Sequence, residues 1–302
     1  MWTSVELREL RVFLVLAEEL HFGRAAERLH LTHSRVSQSV ASLEAKLGGR
    51  LFERTSRRVT LTQLGETLRT QIAPTIQQIQ SALSDVAEQA HGIAGPVRLG
   101  LYSRVAAGPN LIKTVRTFEV RHPNCPVQFV DVGLNMEQFD WLRRGDLDLL
   151  VMRMPLSDPD FVVGPVLSLE ERVLVLARDH PLANHESVSV EDLADYTTID
   201  VEGAPREAMD NLSPPVSPSG RPIRRTYIRS LEQAALRAAT GELVVPTVHA
   251  FLASYPQPEL TSVPIPDLPP AETALVRLKS CRSRKVLAFV EVAEEVARAR
   301  RS

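Results

Sequence analysis

The chain has 302 residues, of which 44% are hydrophobic and 24% charged, and a formal net charge of -2. That length accommodates two or more domains with ample core, and the composition is that of a soluble globular protein rather than a disordered one. No apolar run approaches the ~20 residues that span a bilayer, and early charges at Glu6, Arg8, Glu9 and Arg11 argue against a signal peptide. Cys125 and Cys281 are the only cysteines and form no CxxC pair, which fits a reducing cytoplasm and leaves no metal-ligand cluster. The charge is unevenly placed. Residues 1–62 carry ten Lys/Arg against seven Glu, a net of +3; the remainder carries 25 against 30, a net of -5. A basic head on an acidic body suits a polyanionic partner at one end.

In chain order, Leu7, Leu10, Val12, Phe13, Val15 and Leu16 predict an amphipathic first helix capped near Ser4. Phe22–Leu29 predicts a short helix whose small centre, Ala25-Ala26, lets another helix cross closely. A turn at His30-Leu31 follows, and Thr32 can cap the next helix with its hydroxyl. That helix runs to about Leu47 and stops at Gly48-Gly49. Val36, Val40, Leu43 and Leu47 share one face, while Ser34, Gln38, Ala41, Ser42 and Ala45 form the other, with Arg35 beside it. Short, uncharged outer side chains are what a helix needs to bring its backbone close to base edges in a major groove. His33, Ser34, Arg35, Ser37 and Gln38, at its N-terminal end, are placed to read or approach bases. Next, Leu51-Phe52 and Val59–Thr62 read as two short strands around a basic tip in which Arg54, Arg57 and Arg58 would meet phosphates.

Phe22–Leu29, Thr32–Leu47, Leu51-Phe52-Glu53-Arg54 and Val59-Thr60-Leu61-Thr62 together resemble the winged helix-turn-helix of the LysR-type transcriptional regulators, in register over about sixty residues. One departure is His33-Ser34-Arg35, where that family more often has Gln-Pro-Ala. The resemblance implies a double-stranded DNA partner, with Thr32 among the DNA-binding residues.

From Gln63 to Ala90, Leu64, Leu68, Ile72, Ile76, Ile79, Leu83, Val86 and Ala90 recur every three or four residues, which is a heptad seam from Ile72 onward. A helix with one narrow apolar stripe has to bury it on another chain, so a homodimer is expected, with Pro74 kinking or interrupting the helix. The family's linker helix occupies the same place, and the resemblance implies a homotetramer. His91–Pro96 ends the helix and reads as a hinge.

Beyond it, strands and helices alternate. Val97–Leu101, Val127–Val132 and Leu147–Met152 read as strands, with helices over Leu111–Phe118 and Met136–Arg143. A second unit starts near Val166, with strands at Arg172–Ala177, Tyr196–Val201 and Leu243–Thr247, a helix over Ser230–Thr240 and a mobile Pro/Ser loop over Asn211–Arg221. Tyr255–Pro270 is expected to cross back to the first unit, ahead of a strand at Leu275–Leu278 and a closing helix over Lys285–Ala299. This alternation predicts a mostly parallel, helix-covered sheet. Gly95–Leu101, Leu142–Asp148 and Val173–Ala183 resemble the family's effector-binding domain, a pair of α/β subdomains similar to periplasmic binding proteins.

The expected fold class is therefore α/β: an N-terminal winged helix-turn-helix (1–62), a long linker helix (63–92) and an effector-binding domain (93–302). The last divides into subdomain I, about 93–164 and 268–302, and subdomain II, about 165–267. No nucleophile elbow, P-loop or HExxH is present, so no catalytic residue, metal or cofactor is expected. Asp146 and Asp148 read as a solvated turn, Asp179-His180 as a loop, and Asp158 and Asp160 as loop residues without a visible partner. A small-molecule site is expected beyond the C-terminal strand ends, where open α/β sheets bind ligands. Candidates there are Ser103, Arg104, Asn135, Arg153, Glu202 and Thr247. The arginines suit a carboxylate, and Glu202 argues for a ligand of mixed character. An enzyme with an accessory head and a solute-binding protein with a fused domain are the competing readings; the first lacks an acid–base constellation and the second an export signal.

Overall fold

The computed structural model describes residues 5–54, 58–106, 108–134 and 137–299. The chain divides into two units, Met1–Ser84 and Asp85–Ser302.

In the first unit, α1 (Leu7–Glu19), α2 (Phe22–Leu29) and α3 (His33–Leu47) precede a two-stranded ribbon, β1 (Phe52–Arg54) and β2 (Val59–Leu61), and α4 (Gln63–His91) follows. Their core is Val12, Phe13, Leu16, Ala25, Ala26, Val36, Val40, Leu43, Leu51 and Phe52, all buried, so the face assigned from apolar spacing is the face that packs. Phe13 and Phe52 meet with ring centroids 5.6 Å apart, tying the first helix to the ribbon. Ser4 lies outside the described residues; the N-cap of α1 is Glu6, whose N–H donates to the Glu9 carboxylate at 3.0 Å. The same carboxylate accepts from Ser42 Oγ at 2.7 Å and from Lys46 Nζ at 2.7 and 2.9 Å. Ser42 is thus turned inward to α1 and is not part of the outer face of α3. Burial pushes the Glu9 pKa up, but these donors outweigh it and hold the carboxyl below its ordinary value.

Two further devices fix the ribbon. Glu44, on α3, accepts the N–H groups of Leu51 and Phe52 at 2.8 and 3.2 Å. Thr62 donates to the carbonyl of Arg50 at 2.7 Å and accepts the N–H of Gly65 at 3.0 Å. Helix α4 runs through Pro74 without interruption. Leu64, Leu83 and Val86 of its apolar stripe are exposed.

The second unit contains, in order, β3 (Val97–Leu101), α5 (Gly108–Arg121), β4 (Val127–Asp131), α6 (Glu137–Arg144), β5 (Leu149–Arg153), β6 (Phe161–Glu170) and β7 (Arg172–Ala177). It continues with β8 (Thr197–Val201), α7 (Arg206–Leu212), β9 (Arg224–Ile228), α8 (Leu231–Ala239), β10 (Val245–Val248), α9 (Ala250–Ser254), β11 (Leu260–Pro264), β12 (Ala271–Leu278) and α10 (Arg284–Arg298). One sheet has the order β4-β3-β5-β12-β6, and α5 and α10 pack on it through Phe118 and Phe289. A second has the order β10-β7-β11, beside the separate pair β8-β9.

The sheets are mixed rather than mostly parallel. Among the described residues of this unit, only β3-β4, β3-β5 and β8-β9 pair in parallel; β12 runs antiparallel to β5 and β6, and β7 antiparallel to β10 and β11. The cause is long-range: β12 enters the first sheet after the chain has built the second, and it enters reversed. β6 stays in the first sheet through Glu170, beyond position 165, and β11 still belongs to the second sheet, within the stretch expected to be a crossing loop. The Pro/Ser loop is tied down, with Ser213 and Ser217 buried and Ser219 donating to Glu191 at 2.6 Å. Asp148 pairs with Arg98 at 2.9 Å, and Asp158 and Asp160 both hold Arg143, at 2.6 and 3.0 Å, so the two loop carboxylates do have a partner.

A Cβ on Gly65 would stand 2.2 Å from the carbonyl oxygen of Leu51. Gly65→Ala should therefore destabilise the first unit by about 2–3 kcal/mol, reversing the ~0.5–1 kcal/mol gain of Gly→Ala in a helix; urea denaturation of the full chain reads the difference. For Glu9, the folded pKa lies below the unfolded value near 4.5, so its stabilising share is complete above that pH and is lost as pH falls through the lowered value. Between neutral pH and 5 the difference in thermal midpoint between the parent and Glu9→Gln should stay constant, and below 4.5 it should shrink as the parent loses the Glu9 contribution.

Candidate functional site

Two surfaces carry the candidate residues. On the first unit, Thr32 caps α3 by accepting the N–H of Arg35 at 3.3 Å, and its hydroxyl lies 3.0 Å from that of Ser34. Gly48, in the left-handed region at φ 76°, ends the helix. His33, Ser34, Arg35 and Gln38 are exposed, as are Ala41 and Ala45, and Ser37 is half-buried. The His33 ring rests against Phe22, centroids 5.5 Å apart, which fixes the start of α3 on α2. Arg54 ends β1, Arg58 is exposed just before β2, and Arg57 lies outside the described residues. Sequence reasoning missed Glu44, whose outward-looking position conceals the bonds that hold the ribbon to α3.

On the second unit, a cavity of about 110 Å³ opens between the sheets. The C-terminal ends of the three parallel strands feed it: Tyr102 after β3, Gly133 and Leu134 after β4, and Met152 and Arg153 closing β5. Opposite stand Val201 of β8, Val245 and Thr247 of β10, Leu231 at the start of α8, and Ala208, Met209 and Leu212 of α7. Arg153 and Thr247 are thus brought together. Ser103 is buried nearby but spent on structure, its Oγ accepting the N–H of Val105 at 3.1 Å and lying 3.2 Å from the Tyr255 hydroxyl. Arg104 opens a 3-10 turn, Glu202 is exposed and not among the lining residues, and Asn135 lies outside the described residues.

The electrostatics of this cleft are one-sided. Among the described residues, both terminal nitrogens of Arg153 are buried without a hydrogen-bond partner. Behind them Arg172, the first residue of β7, is 2% exposed and donates to the carbonyls of Thr247, Asn211 and Leu212, at 3.2, 3.3 and 2.6 Å, with a long 3.5 Å contact to the Asn211 side-chain oxygen. Burial, reinforced by the like charge of Arg153, pulls the Arg172 pKa down to about 10. Asp200, between the lining residues Ile199 and Val201 of β8, does not line the cavity, and its carboxylate is held by Arg206 at 3.1–3.3 Å. Gln138, in the first turn of α6, is 7% exposed, lines the cavity and leaves its Oε1 without a partner among the described residues. Neither Arg172 nor Gln138 was legible as a site residue: one opens an apolar strand and the other sits inside an amphipathic helix. At the cleft mouth, Glu207 of α7 accepts from both the N–H and the Oγ of Ser157, which follows β5.

A helix-turn-helix with a ribbon, together with two sheets flanking a largely apolar cleft, defines a chain that links a helix-turn-helix unit to a two-sheet α/β unit. Residues 7–66 match the bacterial regulatory helix-turn-helix protein domain of the lysR family, and residues 90–298 match the LysR substrate binding domain. The chain belongs to the LysR family. Among curated relatives, it is 36% identical over 191 residues to the HTH-type transcriptional regulator ShiR of Corynebacterium glutamicum, covering 63% of this chain and 64% of that protein. It is 32% identical over 197 residues to AlsR of Bacillus subtilis, covering 65% and 64%. The matched stretch thus spans about 64% of the length of these relatives. Solved structures cover nearly the whole chain. A full-length OxyR variant from Pseudomonas aeruginosa aligns with a TM-score of 0.65 at 25% identity, over 97% of this chain and 94% of that one. CbnR, a LysR family transcriptional regulator, aligns with a TM-score of 0.69 at 20% identity, over 97% and 99%.

An unpaired, partly buried guanidinium beside a second one costs folding energy. Arg153→Met should therefore stabilise the ligand-free protein by about 1 kcal/mol, read as a rise in thermal midpoint; a fall would mean that Arg153 supports the fold instead.

Proposed function

We propose that the protein is a sequence-specific DNA-binding transcriptional regulator, cytoplasmic, and controlled by a small molecule held between the two subdomains of its second unit. The observation that carries the reading is the outer face of α3. Its first turns present His33, Ser34, Arg35 and Gln38 to solvent, and beyond them come only the small side chains of Ala41 and Ala45. Nothing on that face keeps a helix out of a major groove. Arg54, Arg57 and Arg58 are assigned to phosphate contacts, which fix register without reading sequence. Support also comes from CbnR, of like fold, whose full-length protein has been solved in complex with its target DNA.

The exposed stripe on α4 is assigned to a homodimer, and the family resemblance extends this to a homotetramer. No helix among the described residues is long and apolar enough to cross a membrane. In a dimer, two copies of α3 enter major grooves about one helical turn, ~34 Å, apart. Ligand binding favours one closure state of the cleft, and its differential affinity for the two states sets how far the DNA-bound equilibrium moves.

Footprinting on the promoter beside the protein's own gene tests this. Two protected half-sites are expected, and Gln38→Ala should relax preference at one base pair by about ten- to a hundredfold, corresponding to ~1–3 kcal/mol, with non-specific affinity kept. Equal weakening on every sequence would remove Gln38 from base reading, and no binding to duplex DNA at low salt would remove the proposal.

A further inference from the structure

We infer that the cleft takes a small monocarboxylic acid with an apolar body and a hydroxyl group, an inference that rests on the reading of this cavity as the effector site. Four observations converge on it. Arg153 lines the cavity with both terminal nitrogens buried and unpartnered among the described residues. Two parallel N–H donors on one guanidinium match the two oxygens of a carboxylate, and a desolvated cation left without an anion is costly. Arg172 adds a second positive charge, 2% exposed, whose own donors are occupied by backbone carbonyls and an amide oxygen. It reinforces the field that an anion meets without touching the anion.

A buried polar group without a partner among the described residues sets the second feature. Gln138, 7% exposed, lines the same cavity and holds a buried Oε1 that has no partner among the described residues. A carbonyl oxygen accepts, so the ligand atom facing it donates. A second carboxylate there would meet oxygen with oxygen. An ammonium group would donate, but it would sit in the field of two guanidinium groups with no carboxylate among the described lining residues. A hydroxyl satisfies both conditions.

Apart from Tyr102 and Thr247, the rest of the wall carries apolar side chains, among them Leu134, Met152, Val201, Met209 and Val245. That excludes sugars and nucleotides, whose hydroxyls would be buried without partners. The volume, about 110 Å³, is somewhat below that of a ~150 Å³ cavity known to hold benzene. A branched chain of a few carbons or a single ring is the right scale.

The test is calorimetric titration of the full-length protein with two matched series at up to millimolar concentration. One series is 2-hydroxy-3-methylbutanoate, 3-methylbutanoate and 3-methyl-1-butanol; the other is 2-hydroxybenzoate, benzoate and benzyl alcohol. In at least one series the hydroxy acid should bind, the plain acid about tenfold more weakly, and the alcohol about a hundredfold more weakly or not at all. Arg153→Met should abolish binding of both acids. Gln138→Leu should bring the hydroxy acid down to the affinity of the plain acid and leave the plain acid unchanged, a selective loss that general damage to the fold would not produce. Melting curves establish that each variant is folded.

Alcohols binding as tightly as acids, acids binding Arg153→Met unchanged, or no binding by any of these probes would each overturn the inference. Ala208→Trp, which fills the cavity, separates this outcome from failure of the effector reading. If an alcohol binds the parent and not Ala208→Trp, the cavity is a ligand site and only the acid is wrong. If binding survives Ala208→Trp, the cavity is not the site.

Discussion

The second unit depends on one constraint of chain path: the backbone passes between its two sheets twice. It leaves the first between Glu170 and Arg172 and returns just before Ala271. The two guanidinium groups of the cleft are products of these crossings. Arg172 is the first residue after the outward passage. Arg153 pairs in register with Thr273, near the start of the returning strand. A sheet closed without crossovers would have put both arginines at a solvent edge. Here the sheets meet over them, and carbonyl dipoles replace water on one arginine while the donors of the other stay uncommitted.

That asymmetry separates a committed arginine from an uncommitted one among the described residues. Arg172 keeps its charge and is solvated by the dipoles of neutral groups, each of its three nitrogens finding an acceptor. It cannot release them without exposing the carbonyls of Thr247 and Leu212. Arg153 has no such commitments. Two identical side chains, both in the interior between two sheets, therefore do different work, and what distinguishes them is whether their donors are already occupied.

The head was largely legible in the sequence because its determinants are local. The four-three-four spacing of Val36, Val40, Leu43 and Leu47, the hydroxyl of Thr32 and the glycine at 48 each act within a few residues of themselves. The structure puts Val36, Val40 and Leu43 in the core and the cap at Thr32. Ser42 escaped because its place depends on Glu9, far back in the chain. In the second unit, strands were legible and pairings were not. β12 is a run of apolar and β-branched residues that gives no sign of which neighbours it joins or in which direction. The rule that ligands gather at C-terminal strand ends located Arg153 and Thr247. It could not find Gln138, which reaches the cleft from a helix, nor discard Glu202, which is adjacent in sequence to cavity-lining Val201 yet points to solvent.

The bond from Glu44 to the start of β1 has a mechanical consequence. One carboxylate on α3 accepts two successive amides at the start of the ribbon, so α3 and the ribbon are a single lever rather than two hinged arms. Any twist imposed on one is delivered to the other within the length of a side chain. On the proposed reading, a duplex whose local geometry suits the helix but not the ribbon would be refused as a whole, and the selectivity so gained would need no additional contact to a base.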